Sequence, residues 1–514
     1  MKMPACTLFV AIAATSSLAT AQSPAPAAPQ PVERGLKLNT PAALDGYTLF
    51  SPIMSGTTFL VDMQGRIVHR WDTGLAPGNM AYLLDSGNLL RGVRIDENPR
   101  FFGGGLAGRI QELDWDGKVV WDYSLSNDQR VLHHDLELMP NGNILAIAWE
   151  YVSHDDAAAL GRDPKAINEK GWWPDSLVEL QPVKPNDAKI VWEWHAKDHL
   201  IQDFDRAKPG FGSVTDHAEL IDINADHRDA PPLTPEKRAE LEKQKRDMKA
   251  LGYTGGDDDK ADAKPKGDAQ PIESDWMHCN GLDYNPALDL VVLSAPHLNE
   301  IFVIDHSTTT AEARTHAGGK RGRGGDLLYR WGNPKNYGAG TAADRKLFYQ
   351  HDPNWVAGAK AGEWHITVFN NGQDRPAGKF SSIEEIAPPF DPARGFARER
   401  DKAFGPDAPA WHYEAAERES MFSFIISGAQ RLSNGDTLIC VGVAGRFLEV
   451  TPDGKTVWEY LNPFGGEIAH SFGKAAPPRD GPSPVPPIAV FQATRIAKDA
   501  PGLRGKTLAP IETH

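Results

Sequence analysis

The sequence contains very little cysteine, with three residues in a chain of 514. Cys6 lies in the N-terminal leader, and Cys279 and Cys440 lie far apart in predicted strands. No Cys-X-X-Cys or related spacing occurs, which excludes a cysteine-rich metal site. Two cysteines in a mature chain are too few for a disulfide scaffold, and we expect both to be buried free thiols rather than one bridge.

Positive charge is scarce relative to negative charge, with 54 Lys and Arg against 69 Asp and Glu and a net charge of -15. Nucleic-acid phosphates and anionic lipid headgroups repel so acidic a chain, so nucleic-acid binding is excluded as a main activity. An anionic substrate would need cationic side chains placed locally. Beyond the N-terminus, no apolar run is long enough to cross a membrane.

The N-terminal residues have the pattern of a secretory signal. Lys2 precedes a short apolar run, Leu8 to Ala14, and Ala19-Thr20-Ala21 fits a cleavage site. We therefore predict a signal peptide over residues 1–21, followed by a Pro/Ala-rich linker over residues 22–36. The same pattern predicts that the mature protein is periplasmic or secreted.

Glycine (48), proline (40) and tryptophan (14) are abundant and indicate a β-rich chain with many turns. Two half-units alternate along the chain. The first is a strand, a turn with Asn-Gly or a similar pair, and a second strand. Its copies begin at Ala81, Leu136, Leu282, Pro353, Ala429 and Val490. The second is an apolar strand, often an Asp-Gly turn, and a strand ending in Trp. Its copies begin at Phe59, Ile110, Leu177, Ile301 and Phe447.

The two half-units together predict a four-stranded blade, because Asn-Gly and Asp-Gly between alternating strands are hairpin signals. Each blade buries its faces only against its neighbours, so the repetition favours a closed propeller. We predict an all-β, six-bladed β-propeller over residues 37–514, closed by joining the N-terminal and C-terminal hairpins. A β-sandwich or two unrelated β domains is the alternative.

One segment, about residues 205–274, breaks the repeat. It contains a charged helix that starts at Pro235 with Thr234 as N-cap, followed by a Gly- and Asp-rich stretch. We interpret the segment as a helical and flexible insertion over one face of the propeller. A lid and a solvated arm are both compatible with its composition.

Alignment of the repeats brings polar residues to one position, just before the first strand of each blade. The aligned set is Asn79, His134, Asn280, His351 and Ser427, with Phe491 or Gln492 in the last blade. These positions face the central channel, where propellers bind ligands, and we predict that they form the functional site. A water-filled channel with polar walls is the structural alternative.

Histidines stand out among the residues of this channel. The sharpest patterns are His133-His134-Asp135, Asp275 to Asn280 and Gln350-His351-Asp352. Imidazoles near one axis act as nucleophiles, general acids or bases, or metal ligands, and a single one can equally be a satisfied core histidine. Arg375, in a loop of the His351 blade, has the geometry to fork around a sulfate, phosphate or carboxylate, or it lies in a surface turn.

Several motifs follow one another in a fixed order. They are His133-His134-Asp135 with Pro140-Asn-Gly-Asn143, Asp275-Trp-Met-His-Cys-Asn280, Ile304-Asp-His-Ser-Thr308, Leu328-Tyr-Arg-Trp-Gly-Asn-Pro334, Gln350-His-Asp352 and Phe369-Asn-Asn-Gly372. In this order they resemble the bacterial arylsulfotransferases, from about residue 40 to the C-terminus outside the insertion. The resemblance implies a six-bladed propeller and an exported enzyme that moves sulfate between phenols without a nucleotide sulfate donor or another cofactor.

The resemblance also implies a ping-pong mechanism on small-molecule aryl sulfates and phenols. A channel histidine attacks sulfur, a sulfohistidine forms, and a phenol then takes the sulfuryl group, while cationic side chains stabilise the sulfate oxygens. A homodimer is compatible with the sequence. The expected catalytic residues are His278, His351, Arg375 and His134. The expected substrate-binding residues are Asn79, His133, Asn280 and Ser427.

One position departs from the family pattern. The nucleophilic histidine of the family belongs in the fifth blade near Ser427, where this chain has Ile425-Ile-Ser-Gly-Ala429. We therefore expect another histidine, such as His134 or His351, to be the nucleophile. Two other classes stay open, a His- or metal-dependent hydrolase or lyase and a non-catalytic extracytoplasmic binding propeller. A quinone-dependent dehydrogenase is disfavoured by the blade count and by the lack of a vicinal cysteine pair.

Overall fold

The computed structural model describes Met1 and residues 33–95, 97–227, 232–251, 253–254, 271–392, 394–465, 470–471, 474–475 and 488–511. The predicted signal peptide beyond Met1, the linker up to residue 32 and residues 255–270 of the insertion lie outside these ranges. No helix among the described residues is long and apolar enough to span a membrane. The strands all belong to the unit Arg34–His514.

Short strands dominate the chain. The strands of the first half are β1 (Gly35–Asn39), β2 (Gly46–Pro52), β3 (Thr57–Asp62), β4 (Ile67–Asp72), β5 (Pro77–Leu83), β6 (Leu89–Arg94), β7 (Gly108–Leu113), β8 (Val119–Ser124), β9 (Arg130–Leu138), β10 (Ile144–Glu150), β11 (Asp175–Val183), β12 (Asp187–His195), β13 (Leu200–Ile201) and β14 (Ile221–Asp222). Those of the second half are β15 (Gly281–Asn285), β16 (Leu290–Ala295), β17 (Glu300–Asp305), β18 (Tyr329–Trp331), β19 (His351–Ala357), β20 (Trp364–Asn370), β21 (Ser382–Ile386), β22 (Phe390–Asp391), β23 (Gly395–Phe396), β24 (Trp411–Tyr413), β25 (Gly428–Arg431), β26 (Thr437–Val441), β27 (Arg446–Val450), β28 (Thr456–Leu461), β29 (His470–Ser471), β30 (Lys474–Ala475) and β31 (Val490–Ala497).

Helical segments are few and short. The α-helices are α1 (His154–Ala159), α2 (Pro235–Ala250) and α3 (Thr310–Ala313). Single 3-10 turns cover Pro164–Ala166, Ala196–Asp198, Pro334–Tyr337, Ala342–Asp344, Arg418–Met421, Gly442–Ala444 and Pro501–Leu503.

Six antiparallel sheets form the blades of the propeller, so the predicted fold class is confirmed. From the inner to the outer strand they are blade 1 (β5-β6-β7-β8), blade 2 (β9-β10-β11-β12), blade 3 (β15-β16-β17-β18), blade 4 (β19-β20-β21-β24), blade 5 (β25-β26-β27-β28) and blade 6 (β31-β2-β3-β4). Strand β1 pairs with β28 and adds a fifth strand to the outer edge of blade 5.

Blade 6 closes the ring with strands from both ends of the chain. Its inner strand β31 pairs with β2, with Ile496 opposite Tyr47 and Ala493 opposite Phe50. The N-terminus therefore contributes three strands and the C-terminus one, instead of the two hairpins expected. The difference arises because the apolar segment Gly46–Pro52, ahead of the recognised repeat, already forms the second strand of the blade.

Apolar side chains between adjacent blades form the core, and each of the six interfaces has its own buried cluster. Alternation along each strand sends side chains to both faces of a sheet, so both faces need a neighbouring blade to cover them. Cys279 and Cys440 belong to two different clusters and are buried free thiols, as expected.

A tryptophan on the outermost strand of every blade donates its indole N–H to a backbone carbonyl of the next blade. The distances lie between 2.7 and 3.1 Å. The carbonyls belong to the connection between the third and fourth strands of the accepting blade. The six pairs are Trp71–Asp114, Trp121–Asp187, Trp194–Gly325, Trp331–Pro406, Trp411–Pro452 and Trp458–Met63.

Side chains near the axis link the inner strands of four successive blade pairs. In each case a side-chain oxygen of one blade accepts a backbone N–H of the next, at 2.6 to 2.9 Å. The acceptor and donor residues are Asp135 and Leu282, Asp283 and Trp355, Asp352 and Ala429, and Gln430 and Arg495. Buried carboxylates thus act as connectors here, and burial raises the pKa of Asp135 to about 8.

The insertion contains the predicted helix. Thr234 Oγ1 accepts the backbone N–H of Lys237 at 3.2 Å, so Thr234 caps α2 as expected. The helix itself buries none of its residues. Leu251 and Tyr253, which follow it, are buried against apolar side chains of several inner strands. The helix is therefore solvated, whereas its C-terminal end reaches the centre of the propeller.

The indole links predict a specific cost for losing one donor. Trp458→Phe keeps an aromatic ring in the buried site but leaves the Met63 carbonyl without its donor. We expect the free energy of unfolding to fall by about 1–3 kcal/mol. Chemical denaturation followed by circular dichroism measures it, with Trp364→Phe at a half-buried position as the control. Equal effects of the two substitutions would contradict a role for the link.

Candidate active site

The chain adopts a left-handed backbone at the residues where the inner strands begin. Asn79, His134, His278, Asp352 and Ser427 all have positive φ, between 54° and 91°. Non-glycine residues seldom adopt this conformation, and they cluster at functional sites when they do. The register of β5, β9 and β19 shifts at the same place, so a bulge turns these side chains toward the axis. In blades 3 and 4 the left-handed residue is His278 or Asp352 rather than the aligned Asn280 or His351.

His134 lies at the centre of the propeller in a close-fitting site. Its Nε2 hydrogen-bonds the hydroxyl of Tyr253 at 2.7 Å. Gly105 makes room for the ring, because a Cβ there would lie 2.1 Å from the imidazole. Burial and then the charge of His278 lower the pKa of His134 well below its ordinary value. His134 is therefore a neutral imidazole at neutral pH.

A chain of polar contacts continues from His134 into the protein. His134 Nδ1 hydrogen-bonds His133 Nδ1 at 2.8 Å, and His133 Nε2 lies 3.1 Å from Asp175 Oδ1. The His133 ring stacks on Trp149 with centroids 4.1 Å apart. Burial lowers the pKa of His133 to about 3. His133 thus holds the Nδ1 side of His134 and leaves the Nε2 side directed at the Tyr253 hydroxyl.

His278 is the charged partner of this group. Its Nδ1 donates to Asp275 Oδ2 at 2.5 Å. Burial alone would lower the pKa of His278, but the charge and hydrogen bond of Asp275 raise it above its ordinary value. Burial alone would raise the pKa of Asp275, and His278 lowers it instead. The His278 ring meets His134 edge to face, with centroids 4.5 Å apart, so a cationic and a neutral imidazole lie side by side.

His297 and Tyr349 extend the group on the far side of His278. The rings of His278 and His297 stack with centroids 4.8 Å apart, and His297 Nε2 hydrogen-bonds the Tyr349 hydroxyl at 2.9 Å. The sequence analysis did not assign either residue. His297 lies beyond the inner strand of its blade, where the repeat alignment carries no information about the channel.

His351 lies near the same axis but uses both ring nitrogens for the backbone framework. Its Nδ1 hydrogen-bonds Asn371 Oδ1 at 2.8 Å, and its Nε2 accepts the backbone N–H of Ile426 at 3.1 Å. Burial lowers the pKa of His351 to about 3. Asn371 in turn donates to the carbonyls of Ser423 and Ile426. In this arrangement His351 joins blade 4 to the start of blade 5.

The predicted substrate-binding residues Asn79, Asn280 and Ser427 also bond to the framework. Asn79 Nδ2 donates to the Gly105 carbonyl at 3.2 Å, and Asn280 Nδ2 donates to the Gln350 carbonyl at 2.9 Å. Ser427 Oγ accepts the backbone N–H of Gly442 at 2.9 Å. These side chains therefore orient the loops that enter the channel.

Arg375 makes its contacts outside the histidine group. Its Nη2 donates to Ser382 Oγ at 2.8 Å, and its guanidinium lies 4.2 Å from the ring centroid of Phe380. Burial lowers its pKa below the ordinary value. The neighbouring Asp374 pairs with Lys237 of α2, so this loop lies beneath the inserted helix. The predicted contact of Arg375 with a sulfate group remains a prediction.

Metal-ligand geometry occurs away from the channel. Within the part of the chain that the structure describes, the group with suitable spacing is His199, His316 and Asp326. The Nδ1 atoms of both imidazoles hydrogen-bond Asp326 Oδ1, at 2.9 and 2.7 Å. None of the channel histidines belongs to this group, so the structure lends no support to a channel metal.

Comparison with known proteins bears on the identity of this site. The sequence profile described as Arylsulfotransferase (ASST) matches residues 33–459, most of the chain. The chain belongs to the arylsulfotransferase family. No curated protein matches the sequence.

Many solved structures have a similar fold at low identity. They include a protein of unknown function from Bacteroides caccae (10% identity, TM-score 0.40, 87% of this chain and 98% of that chain covered). A periplasmic gluconolactonase from Pseudomonas aeruginosa has 11% identity and a TM-score of 0.37, with 81% and 96% covered. A virginiamycin B lyase from Staphylococcus aureus has 10% identity and a TM-score of 0.30, with 76% and 72% covered. Likenesses this distant carry no argument about activity.

Two residues of this arylsulfotransferase were missed because their signals are not local. Tyr253 comes from the insertion, and nothing in the repeat relates it to His134. A lone tyrosine between a charged helix and a Gly-rich stretch was the available signal. Asp175, at the start of the third strand of blade 2, reaches His133 only through the pairing of that blade.

The ion pair of His278 and Asp275 predicts how stability depends on pH. The raised pKa of His278 adds stability that is full below 6.5, the ordinary histidine value, and is lost as the pH rises through the folded-state pKa. The lowered pKa of Asp275 adds stability above 3.8 that is lost as the pH falls through its folded-state pKa. Asp275→Asn should therefore destabilise the fold most between these two values.

Denaturation of wild type and Asp275→Asn at a series of pH values measures this window. Asp155→Asn is the matched control, because Asp155 contacts His154 at 3.3 Å on the surface, where the pair is solvated and weak. A destabilisation by Asp275→Asn that is the same at every pH would contradict a charged pair.

Proposed function

We propose that this chain transfers a sulfuryl group from an aryl sulfate to a phenol, and that it does so as an exported protein. Membership of the arylsulfotransferase family supports the reaction class. The observation that carries the residue assignment is the contact of neutral His134 with cationic His278. A nucleophile must have a free electron pair, and a leaving phenoxide needs a proton, so the two imidazoles have complementary roles.

In the first half-reaction, His134 Nε2 attacks sulfur and the bond between sulfur and the aryl oxygen breaks. The His278 imidazolium gives a proton to the departing phenoxide, and the sulfuryl group is left on His134. The contact with His133 holds the Nδ1 side of His134, so Nε2 is the nitrogen available for attack. Until that proton is transferred, the charge of His278 also stabilises the sulfate oxygens.

In the second half-reaction, an acceptor phenol attacks the sulfuryl group on His134. The bond between nitrogen and sulfur breaks, and the phenol proton goes to His278, which is neutral after the first step. Asp275 favours the return of that proton because its carboxylate stabilises the imidazolium. Both imidazoles are then restored to their starting states.

The surroundings of His134 suit an aromatic substrate. Ile53, Met80, Ile425 and Phe491 form a buried apolar cluster at the same end of the channel. Phe491 lies with its ring centroid 6.1 Å from that of His134. Apolar walls bind an aromatic ring and exclude water, which limits hydrolysis of a sulfohistidine. In this scheme His351 is a positioning residue, because it holds the start of blade 5.

Release of nitrophenolate from p-nitrophenyl sulfate, with and without phenol, tests the proposal. Wild type should require phenol, and His134→Gln should lower kcat/KM by about 100-fold or more. The control is His154→Gln, which alters a solvent-exposed histidine on α1 and should retain wild-type rates. Release without phenol would indicate a hydrolase, and no release in either condition would contradict sulfuryl transfer.

The acid role of His278 predicts a pH dependence of the rate. Activity requires protonated His278, so kcat/KM should fall as the pH rises through its raised pKa. Asp275→Asn removes the charge that raises this pKa and should move the falling limb to lower pH. The kcat/KM profile of both proteins measures the shift, and an unmoved limb would contradict the assignment of His278 as the acid.

A further inference from the structure

Tyr253 brings a phenol to His134 from within the same chain. Its hydroxyl lies 2.7 Å from His134 Nε2, the atom to which the proposed function assigns the sulfuryl group. Its side chain is buried, and its backbone carbonyl accepts a hydrogen bond from Arg94 at 3.4 Å. A phenol is the chemical class of acceptor that this reaction uses. The inference developed from this contact rests on the proposed function.

The protein forms a fitted site for the Tyr253 ring. Leu251 and Tyr253 pack together against Met80, Phe491 and other apolar side chains of the inner strands. Gly104 faces the ring, and a Cβ at that position would lie 2.1 Å from it. The hydroxyl is directed at His134, and the ring fills apolar space. This is the orientation that an acceptor phenol needs in order to attack sulfur on His134.

The attachment of the preceding helix allows the tyrosine to withdraw and return. The helix α2 has no buried residue. Its contacts with the blade 4 loop are ion pairs at the surface, Lys237 with Asp374 and Glu240 with Lys379. Solvated pairs of this kind hold a helix weakly. An aryl sulfate can therefore reach His134 while Tyr253 is withdrawn, and Tyr253 can then return to the sulfuryl group.

We propose that Tyr253 is an internal sulfuryl acceptor, so that the chain sulfates its own tyrosine when no external phenol is present. In the first step an aryl sulfate gives its sulfuryl group to His134 Nε2 and leaves as a phenol. In the second step Tyr253 Oη attacks sulfur, the bond between sulfur and His134 Nε2 breaks, and the tyrosine proton goes to His278. The sum converts one aryl sulfate and one tyrosine into one phenol and one tyrosine sulfate.

Sulfation changes the fit of Tyr253 to its site. The product carries a negative charge that the apolar cluster around Met80 and Phe491 does not solvate. The sulfated side chain therefore leaves the site, and His134 becomes accessible to external phenols. Self-sulfation would thus prepare the enzyme for turnover on phenols.

Mass spectrometry of the whole mature protein tests the proposal. Wild type is incubated with p-nitrophenyl sulfate alone, then digested, and the peptide that contains Tyr253 is examined. We expect one added sulfuryl group per chain on Tyr253 and release of an equivalent amount of nitrophenolate. Fragmentation assigns the modified side chain, because a sulfuryl group on His134 lies on a different peptide.

Matched variants separate the proposal from loss of folding and from failure of the transferase reaction. Tyr253→Phe keeps the ring but should lose the stable modification, while nitrophenolate release with added phenol continues. Tyr82→Phe removes another hydroxyl beside the same apolar cluster, one that bonds Asp135, and should leave the modification intact. Phenol-dependent release by wild type without a modified Tyr253 would overturn the inference alone. No release with or without phenol would overturn the proposed function together with it.

Discussion

The indole N–H that each outer strand donates to the next blade is the interaction on which the ring depends. A blade buries its faces only against its neighbours, so an error in the angle between two blades would leave a gap where the ring closes. Each indole bond ties the outer edge of one blade to a turn of the next, from Trp71 to Trp458. The Asp135, Asp283, Asp352 and Gln430 contacts do the same near the axis for four of the blade pairs. Held at both edges, the blades have fixed relative positions.

Fixed blades allow charge to be sorted over very short distances at the centre. His134 and His278 have ring centroids 4.5 Å apart and the same degree of burial, but they differ in protonation. The difference comes from their partners, because His278 faces Asp275 while His134 faces His133 and Tyr253. In a solvated cleft these neighbours would matter less, since water screens charges and competes for hydrogen bonds. The rigid ring therefore determines the chemistry by excluding water from the axis.

The sequence predicts the fold well because the fold is a repeat of local signals. Asn-Gly and Asp-Gly turns, strand alternation and a terminal Trp recur in nearly every blade, and each reflects contacts within one hairpin or with the next blade. Blade 4 is the weakest match, since its outer Trp411 follows a long excursion after β21 and was not recognised in the repeat. The closing strand β2 was missed for a similar reason, because the first recognised half-unit began after it.

The site was less predictable because its contacts join distant parts of the chain. Repeat alignment identified His134 and, as a neighbour, His278, since both lie at the starts of inner strands. It gave no indication that His351 would use both nitrogens for Asn371 and Ile426. Tyr253 was beyond its reach, because an insertion has no counterpart in the other blades. Repetition thus predicts which backbone positions approach the axis, whereas the partners of each side chain depend on the whole fold.

The serine at position 427 has a physical explanation in the same geometry. Six inner strands begin around one axis, so a histidine from any blade reaches nearly the same space. A nucleophile can therefore move from blade 5 to blade 2 without moving the substrate far, provided that an acid lies beside it. His278 of blade 3 is the neighbour of His134, whereas Ser427 bonds to Gly442 and to Ser423 within its own blade. The position of the ion pair with Asp275 thus favours His134 as the nucleophile, because the proton for the leaving phenoxide must come from that side of the channel.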